Sequence, residues 1–262
     1  MQQLRNASWA VRARDPIERP LSARSVIASL LLGRSPARAS SGDLVRWCGL
    51  FGIAPGTARV ALHRMVAAGE LDRGERAYEL SGRLAGRQEE QRAGLAGQTR
   101  RWDGAWRMAV VTAERRPAGA RAALRTGLRG ARLAEWREGV WLRPDNLDLV
   151  EDPRCEWLEV VPERDPVALA AELFAPAVWA RRARTLAASL DVVTEELAAG
   201  DEGLVRDAFV YGAAAVRHLR ADPLLPTALV PAGWPGRELR DGYRRFQRAF
   251  DRAAQDWFRT TR

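Results

Sequence analysis

The sequence contains no lysine, and its 262 residues include only two cysteines and two histidines. Cys48 and Cys155 lie about a hundred residues apart, outside any Cys-x-x-Cys or Cys/His cluster, which argues against a disulfide framework or a zinc site. No apolar run approaches the ~20 residues that a membrane span requires. The N-terminal segment, with Arg5, Arg12 and Arg14, lacks the apolar core of a secretory signal. We therefore expect a cytoplasmic protein that does not cross a membrane.

The sequence motifs of common enzyme classes are absent as well. It has no His-Glu-x-x-His, no Gly-x-Ser-x-Gly and no phosphate-binding Walker loop, and His63 and His218 are too far apart to form a motif. We therefore predict no catalytic residue, metal or cofactor and no enzymatic activity. A catalytic site built from Arg, Asp and Glu alone would leave no such signature and stays open.

Positive charge is concentrated in the first hundred residues. The chain has 42 basic and 33 acidic residues and a net charge of +9. Residues 1–100 contain 16 Arg and 9 acidic residues (+7), whereas residues 101–262 contain 26 Arg and 24 acidic residues (+2). Phosphate contacts supply most non-specific nucleic-acid affinity, so a field confined to one region favours a polyanion bound there. The alternative is a surface excess of charge without a partner.

Periodicity predicts a winged helix-turn-helix at residues 21–80, after a flexible arm at residues 1–20. Apolar residues recur at helical spacing in three segments, and two short alternating segments follow around Gly74-Glu75 as a hairpin. Ser22 and Ser41 are the predicted caps of the first two helices, and Pro55 begins the third. The predicted helices are 23–32, 41–50 and 55–69, and the predicted strands are 70–73 and 76–80.

The pattern of the remaining residues predicts three further parts. The chain as a whole is therefore predicted to be α+β and mostly helical. Residues 81–101 read as a connecting helix and linker, residues 102–165 as a ferredoxin-like α+β domain, and residues 166–262 as a C-terminal helical domain. In the ferredoxin-like part, a helix at 118–130 lies among strands at 106–112, 132–136, 139–143 and 155–161. Only about ten residues separate the last two strands, so we expect the second helix of this fold to be short or missing.

The third helix carries the candidate DNA-binding residues. With Leu62 toward the core, the 100° rotation per residue places Thr57, Val60 and Arg64 on the opposite face. Arginine can donate two hydrogen bonds to guanine or to a phosphate, and a threonine at a helix start can bind a phosphate. The alternatives are a solvated helix face for the arginines, a local cap for Thr57 and a polar flank position for His63. The predicted DNA-binding set is Thr57, Arg59, Val60, His63 and Arg64 on the helix, with Arg73 and Arg76 beside the hairpin turn.

Several segments along nearly the whole chain resemble one family. They are Ala23-Arg-Ser before an apolar stretch and Gly33, Phe51-Gly-Ile, residues 58–66 before Gly69-Glu-Leu, Trp102-Asp-Gly-Ala-Trp, Gly139-Val-Trp-Leu, Asp222-Pro-Leu-Leu-Pro and Leu229-Val-Pro-Ala-Gly-Trp-Pro-Gly. The last two are the most specific, because generic winged helices do not carry them. On these residues the chain resembles the PaaX-type repressors of phenylacetate catabolism.

The resemblance implies a homodimeric repressor of aromatic-acid catabolic genes. Such a protein binds an inverted-repeat operator in double-stranded DNA and is released by an aryl-CoA thioester such as phenylacetyl-CoA. Arg217 matches a family arginine before the Asp-Pro, and arginine with aromatic side chains would suit an acyl-CoA. The candidate effector-binding residues are Tyr211, Arg217, His218 and Trp234.

The sequence departs from the resemblance at two places. The central domain is similar to the small nuclease fold of CRISPR adaptation, in which an acidic residue closes the first strand, whereas Thr112 stands here. The stretch Val178-Trp-Ala-Arg-Arg-Ala-Arg184 is more basic than expected, which weakens the transfer of effector identity. A nuclease or RNA-binding protein using the central domain, and an acyl-CoA-handling enzyme, are the alternative functions.

Overall fold

The computed structural model describes residues 21–112, 117–200 and 202–260. The arm predicted at residues 1–20 lies outside these ranges. The α-helices are α1 Ala23–Leu32, α2 Ser41–Leu50, α3 Pro55–Ala67, α4 Gly82–Ala96, α5 Ala118–Gly130, α6 Pro166–Phe174, α7 Pro176–Ala198, α8 Val205–Arg220 and α9 Gly236–Thr260. The strands are β1 Arg38–Ala39, β2 Leu71–Arg73, β3 Tyr78–Leu80, β4 Trp106–Val111, β5 Ala134–Arg137, β6 Val140–Pro144 and β7 Cys155–Val160.

The chain forms two compact units. The winged-helix unit runs to Leu95 and adds Thr185–Arg220 and the residues from Glu238 onward. The central unit comprises Ala96–Arg184 and Ala221–Arg237. The domain limits predicted from the sequence follow the order of the chain, whereas these units follow packing in space. Within the described residues, no helix has the length and apolar composition needed to cross a membrane.

Two serine caps and a small sheet shape the start of the winged-helix unit. Ser22 accepts a hydrogen bond from the Ser25 amide at 3.2 Å and caps α1. Ser40, rather than the predicted Ser41, caps α2 by accepting from the Asp43 amide at 3.1 Å. The strand β1, which lies outside the helices and strands predicted from the sequence, pairs with β3 and completes an antiparallel sheet in the order β1-β3-β2.

Trp47 of α2 lies at the centre of the core of this unit. Its side chain is fully buried, and its ring contacts Phe209 of α8 at a centroid distance of 5.5 Å. It also contacts Phe250, Trp257 and Phe258 of α9, at 6.1, 5.5 and 5.5 Å. Aromatic pairs in these tilted and stacked arrangements stabilise a core beyond the area they bury. The winged helix therefore shares one core with helices from the C-terminal part of the chain.

The central unit is a four-stranded antiparallel sheet in the order β5-β6-β4-β7, which is the order of a ferredoxin-like fold. One face packs on α5 through Leu124 and Leu128. No helix joins β6 to β7. The short interval between these strands had led us to expect a short or missing helix. The other face is instead covered by Leu169 of α6 and by Leu225 and Leu229 of the proline-rich segment at residues 222–236. Elements from later in the chain thus replace the second helix of the fold.

A buried arginine fixes the proline-rich segment to the sheet. Arg143 of β6 is fully buried and donates hydrogen bonds to the carbonyl oxygens of Pro144 and Arg132 and to Oδ1 of Asn146, at 3.0, 3.2 and 2.7 Å. Asn146 Nδ2 in turn donates to the Leu224 carbonyl at 2.8 Å. Burial, followed by repulsion from Arg132, lowers the pKa of Arg143 to about 9, so the guanidinium remains charged at neutral pH.

Candidate nucleic-acid interface

The third helix is positioned by a short run of apolar side chains on one face. Pro55 occupies its first turn, where the missing amide hydrogen costs nothing. Ala58, Leu62 and Met65 are each at most 1% exposed and pack into the core between α1 and α2. The chain leaves the helix through Gly69, whose φ of +65° favours glycine. The buried face therefore fixes which side of α3 meets solvent.

The five side chains of α3 that are predicted to contact DNA all lie outside its buried face, with Thr57, Val60 and Arg64 opposite Leu62 and Arg59 and His63 on one flank. These residues are exposed, and Val60 is an apolar member with 49% of its surface in solvent. Arg59 and Arg64 form no ion pair with any residue that the structure describes. Their donors are therefore available to an external acceptor. The exposed set on α3 is Thr57, Arg59, Val60, His63 and Arg64.

The wing places its cations at the turn rather than along the sheet. Arg73 ends β2, and Arg76 lies in the following loop, which the Gly74 amide closes by donating to the Ala77 carbonyl at 2.9 Å. Both arginines are exposed and have no ion pair in the described part of the chain. Asp72 and Glu79 are paired in register across β2 and β3 and are also exposed. Glu75 in the turn is exposed as well, and carboxylates repel phosphate, so a phosphate backbone would have to contact Arg73 and Arg76 from the side of the wing.

Glu70 fixes the base of the wing, and sequence reasoning assigned it no role. It is 7% exposed, and its carboxylate accepts from Arg24 Nε at 2.7 Å and Arg83 Nη2 at 2.8 Å, with a further bond from Arg24 Nη2. Hydrogen bonding from Arg24, stronger than the opposing effect of burial, lowers the pKa of Glu70. The clamp joins α1, the start of the wing and α4. Arg24 and Arg83 lie 46 and 13 positions from Glu70 in the sequence, so local pattern analysis could not predict the clamp.

Close backbone packing at the base of the wing explains why residue 82 is a glycine. Gly82 has a φ of +47°, and a Cβ at this position would lie 2.5 Å from the Gly69 carbonyl oxygen. The Ser81 amide donates to the Glu70 carbonyl at 3.0 Å, so both ends of the wing meet here. A larger residue would push the two ends apart.

The four candidate effector-binding residues do not come together in one place. Tyr211 and His218 of α8 are 3% and 9% exposed and pack inside the winged-helix unit. Arg217 on the same helix is exposed and lines a cavity of that unit. Trp234 belongs to the central unit, where it stacks on Trp179 at a centroid distance of 4.6 Å. Of the four, Arg217 alone is placed at the cavity wall.

Neither Thr112 nor the two cysteines belongs to a metal-binding group among the described residues. Thr112 directly follows β4, and its hydroxyl and amide both face the Arg154 carbonyl, at 3.4 and 3.3 Å. Among residues 21–112, 117–200 and 202–260, no group of three or more His, Cys, Asp or Glu side chains is placed to hold a metal ion. Cys48 and Cys155 are buried and form no disulfide. Burial raises the pKa of Cys48 to about 11, so this thiol stays protonated.

The three helices, the wing and the exposed cations of α3 define a winged-helix protein, joined here to a ferredoxin-like unit. Comparison with known proteins matches residues 22–84 to PaaX-like protein, residues 99–154 to the PaaX protein central Cas2-like domain and residues 164–260 to the PaaX-like protein C-terminal domain. The chain therefore belongs to the PaaX-like family of regulators, which confirms the family predicted from the sequence.

A solved structure agrees with this membership. The uncharacterized protein Rv0674 from Mycobacterium tuberculosis is 41% identical in sequence, with a TM-score of 0.66. The match covers 90% of this chain and 98% of that one. No curated protein matches the sequence.

Proposed function

We propose that the protein is a transcriptional regulator that binds specific double-stranded DNA through α3 and the turn of the wing. One observation carries the proposal: the third helix of a winged helix, in a chain of a regulator family, exposes Arg59 and Arg64 without a carboxylate partner. A helix of this kind fits the major groove, where an arginine donates to guanine O6 and N7 or to a phosphate.

The other exposed residues take supporting roles in this proposal. Thr57 at the start of α3 hydrogen-bonds a phosphate beside the free amides of the first turn. Val60 packs against a base edge, and His63 adds a polar contact beside it. Arg73 and Arg76 hold the backbone beside the groove.

The finer proposal is that the protein is a homodimer that represses aromatic-acid catabolic genes. Two copies related by a two-fold axis would bind an inverted repeat, with their recognition helices one turn of DNA apart, ~34 Å. An aryl-CoA thioester such as phenylacetyl-CoA would release the operator by favouring another arrangement of the reading helices. Reciprocity then requires operator DNA to weaken the ligand by the same factor. Family membership supports this part of the proposal.

The first experiment selects preferred sequences from random DNA duplexes and then measures affinity for the best duplex at several salt concentrations. Arg64→Ala should weaken specific binding by about 1–3 kcal/mol if the side chain reads a base, or reduce the salt slope by about one if it contacts a phosphate. The fold should be unchanged, because the residue faces solvent. Arg248→Ala, which removes an exposed arginine from α9, is the matched control.

Two results would contradict the proposal. Equal DNA affinity for wild type and a folded Arg64→Ala protein would remove Arg64 from the interface. Cleavage of the labelled duplex in the presence of a divalent metal, instead of its retention, would favour a nuclease. Operator fragments with one or two half-sites, compared by sedimentation, test the dimer: tight binding to a single half-site by one copy would contradict it.

A further inference from the structure

The wing is short, and its turn projects from the winged-helix unit into solvent. Strands β2 and β3 have three residues each, and residues 72–76 are all exposed. Near the base of the wing, Leu71 and Tyr78 are 1% and 8% exposed and pack in the core of the unit. Because a hairpin of this length is marginally stable by itself, the position of the wing depends on how its base is held.

Glu70, at this base, uses all its polar groups to join neighbouring elements. Its amide donates to the Met65 carbonyl of α3 at 2.9 Å, and its carbonyl accepts from the Ser81 amide, directly after β3, at 3.0 Å. Its carboxylate accepts from Arg24 of α1 and Arg83 of α4. One residue thus connects the end of α3, both ends of the wing and two further helices of the unit.

The carboxylate of Glu70 forms the strongest of these connections. It is buried, so its attraction to the two arginines is screened less by salt than that of a surface carboxylate. The bonds from Arg24 Nε and Arg83 Nη2 measure 2.7 and 2.8 Å, and charge-assisted hydrogen bonds are roughly twice as strong as neutral ones. An amide in place of the carboxylate would keep the volume of the side chain and remove the charge from these bonds.

The backbone has little freedom at the same point. Ala68, Gly69 and Glu70 are the three residues between the end of α3 and the start of β2. A Cβ at residue 82 would lie 2.5 Å from the Gly69 carbonyl oxygen, so the chain that leaves the wing touches the chain that enters it. This contact makes the base a pivot, and the clamp at Glu70 sets the direction in which the wing leaves it.

Arg73 and Arg76 lie beyond the base, toward the exposed turn of the wing. Arg73 is separated from Glu70 by about 10 Å of extended strand. A rotation of ~10° about the base would displace Arg73 by about 2 Å, which exceeds the roughly 0.5 Å range of hydrogen-bond lengths. The angle of the wing therefore decides whether its arginines and those of α3 can contact the same duplex.

We infer that Glu70 is a positioning residue for DNA binding, which holds the wing at the angle to α3 at which Arg73 and Arg76 contact the duplex. The inference rests on the proposed function. It predicts the opposite of simple electrostatics, because removal of a carboxylate from a basic DNA-binding domain should by charge alone strengthen the attraction to phosphate. Here the loss of the carboxylate should weaken DNA binding.

Anisotropy titrations of the full-length protein with the selected duplex test the sign of this effect. Glu70→Gln should weaken specific binding roughly fivefold or more and reduce the salt slope by up to about two, the contribution of two phosphate contacts. Glu79→Gln is the matched control, since it removes the same charge from an exposed position of the wing that has no ion pair in the described chain. It should bind DNA at least as tightly as wild type.

A double-mutant cycle separates positioning from general destabilisation. In a protein that already carries Arg73→Ala and Arg76→Ala, Glu70→Gln should cost no further affinity, because the contacts that it aligns are gone. In the Arg64→Ala protein, Glu70→Gln should cost as much as in wild type. A merely structural role would produce the same loss in both backgrounds.

A second variant is used if Glu70→Gln does not fold, as judged by far-UV circular dichroism at the titration temperature. Arg83→Gln removes a single bond of the clamp and takes the place of Glu70→Gln in the same cycle. Arg92→Gln removes the same charge from an exposed position of the same helix and is its control. The loss of DNA affinity should be larger for Arg83→Gln than for Arg92→Gln.

Three results would overturn the inference. One is an affinity of folded Glu70→Gln that equals or exceeds that of wild type, as expected for Glu79→Gln. Another is an undiminished loss when Arg73 and Arg76 are already alanine. The third is an unchanged affinity of the Arg73→Ala, Arg76→Ala protein, since the wing would then not contact the duplex. Each can occur while Arg64→Ala still weakens binding, so the inference can fail while the proposed function holds. A wild type that selects no duplex overturns both.

Discussion

The surface of the central unit and the exposed face of α3 with the wing turn differ in whether their arginines have carboxylate partners. In the central unit, arginines on the surface pair with carboxylates: Arg100 with Asp145, Arg107 with Glu151, Arg125 with Glu135, Arg154 with Asp152 and Arg164 with Glu172. On α3 and the wing turn, Arg59, Arg64, Arg73 and Arg76 are exposed and form no ion pair in the described chain. Arginine content alone therefore says little about binding, whereas the placement of carboxylates beside it says much.

The largest expected effect concerns the core of the winged-helix unit. Trp47→Ala should lower the free energy of unfolding by about 3–5 kcal/mol, because it leaves a cavity among Phe209, Phe250 and Phe258. Denaturant unfolding followed by far-UV circular dichroism measures the loss. Trp157→Ala, a half-buried tryptophan of the central sheet, is the comparison and should cost less. Similar losses for both would mean that α8 and α9 contribute little to the winged helix.

A fragment that ends at Gln98 tests directly whether α8 and α9 stabilise the winged helix. It keeps Trp47 but lacks the rings of α8 and α9 that cover it, so it should be much less stable than the full chain. It should bind DNA weakly, with a shallower salt dependence and no response to phenylacetyl-CoA. Thermal unfolding of the fragment and anisotropy with labelled DNA measure both. A cooperatively folded fragment with full operator affinity would show that the C-terminal helices have another task.

The second largest effect concerns Arg143, the fully buried arginine among the described residues of the central unit. Arg143→Met keeps most of the volume but leaves the Arg132 and Pro144 carbonyls and Asn146 Oδ1 without their donor. We expect a loss of about 2–4 kcal/mol, since unsatisfied buried acceptors cost free energy. Limited proteolysis should also cut the segment around Leu224 sooner, because Asn146 holds it. Unchanged stability and proteolysis would show that the network is not what fixes this segment.

Periodicity predicted most of the helices and strands because each is amphipathic over its own length. The exposed face of α3 follows in the same way, since Leu62 and its neighbours fix the helix phase. Two-residue β1 escaped prediction because its pairing partner Glu79 lies far along the chain. Ser40 and Ser41 are both good caps, and only the backbone path selects Ser40.

Contacts between distant segments were not predictable from local pattern. The cavity that Arg217 lines has arginines from α4 and α8 and rings from α9 in its wall, and no spacing in the sequence joins them. Family resemblance drew attention to Arg217 and Trp234 together because both lie near the Asp222-Pro segment, yet packing places them in different units. Nearness in sequence is a weak guide wherever the chain passes from one unit to another.

The clamp at Glu70 shows that arginines of the winged-helix unit away from the exposed face of α3 do form ion pairs, as Arg46 does with Asp43. Glu70→Gln should cost about 1–2 kcal/mol, toward the low end for charged hydrogen bonds because Arg24 and Arg83 are 45% and 78% exposed. Because the folded pKa of Glu70 is below its ordinary 4.5, its contribution is present above that pH and is lost as pH falls through the lowered pKa. Denaturant unfolding between roughly pH 7 and pH 3 should show the difference between wild type and variant shrinking on acidification. A constant difference would assign the loss to packing rather than to charge.

The smallest expected effect concerns an arginine of the central unit that forms an ion pair on the surface. Arg125 on α5 forms an ion pair with Glu135, lies over the Trp141 ring at 5.8 Å and is 47% exposed. Arg125→Ala should change the free energy of unfolding by less than about 1 kcal/mol, because exposed ion pairs contribute little after desolvation and side-chain entropy are counted. It removes the same unit of charge as Arg64→Ala, yet specific DNA affinity should stay within about twofold of wild type once salt screens the long-range field. Anisotropy titrations of both variants at about 150 mM salt make the comparison. An equal loss of affinity for the two would mean that net charge, rather than the unpaired face of α3, accounts for DNA binding.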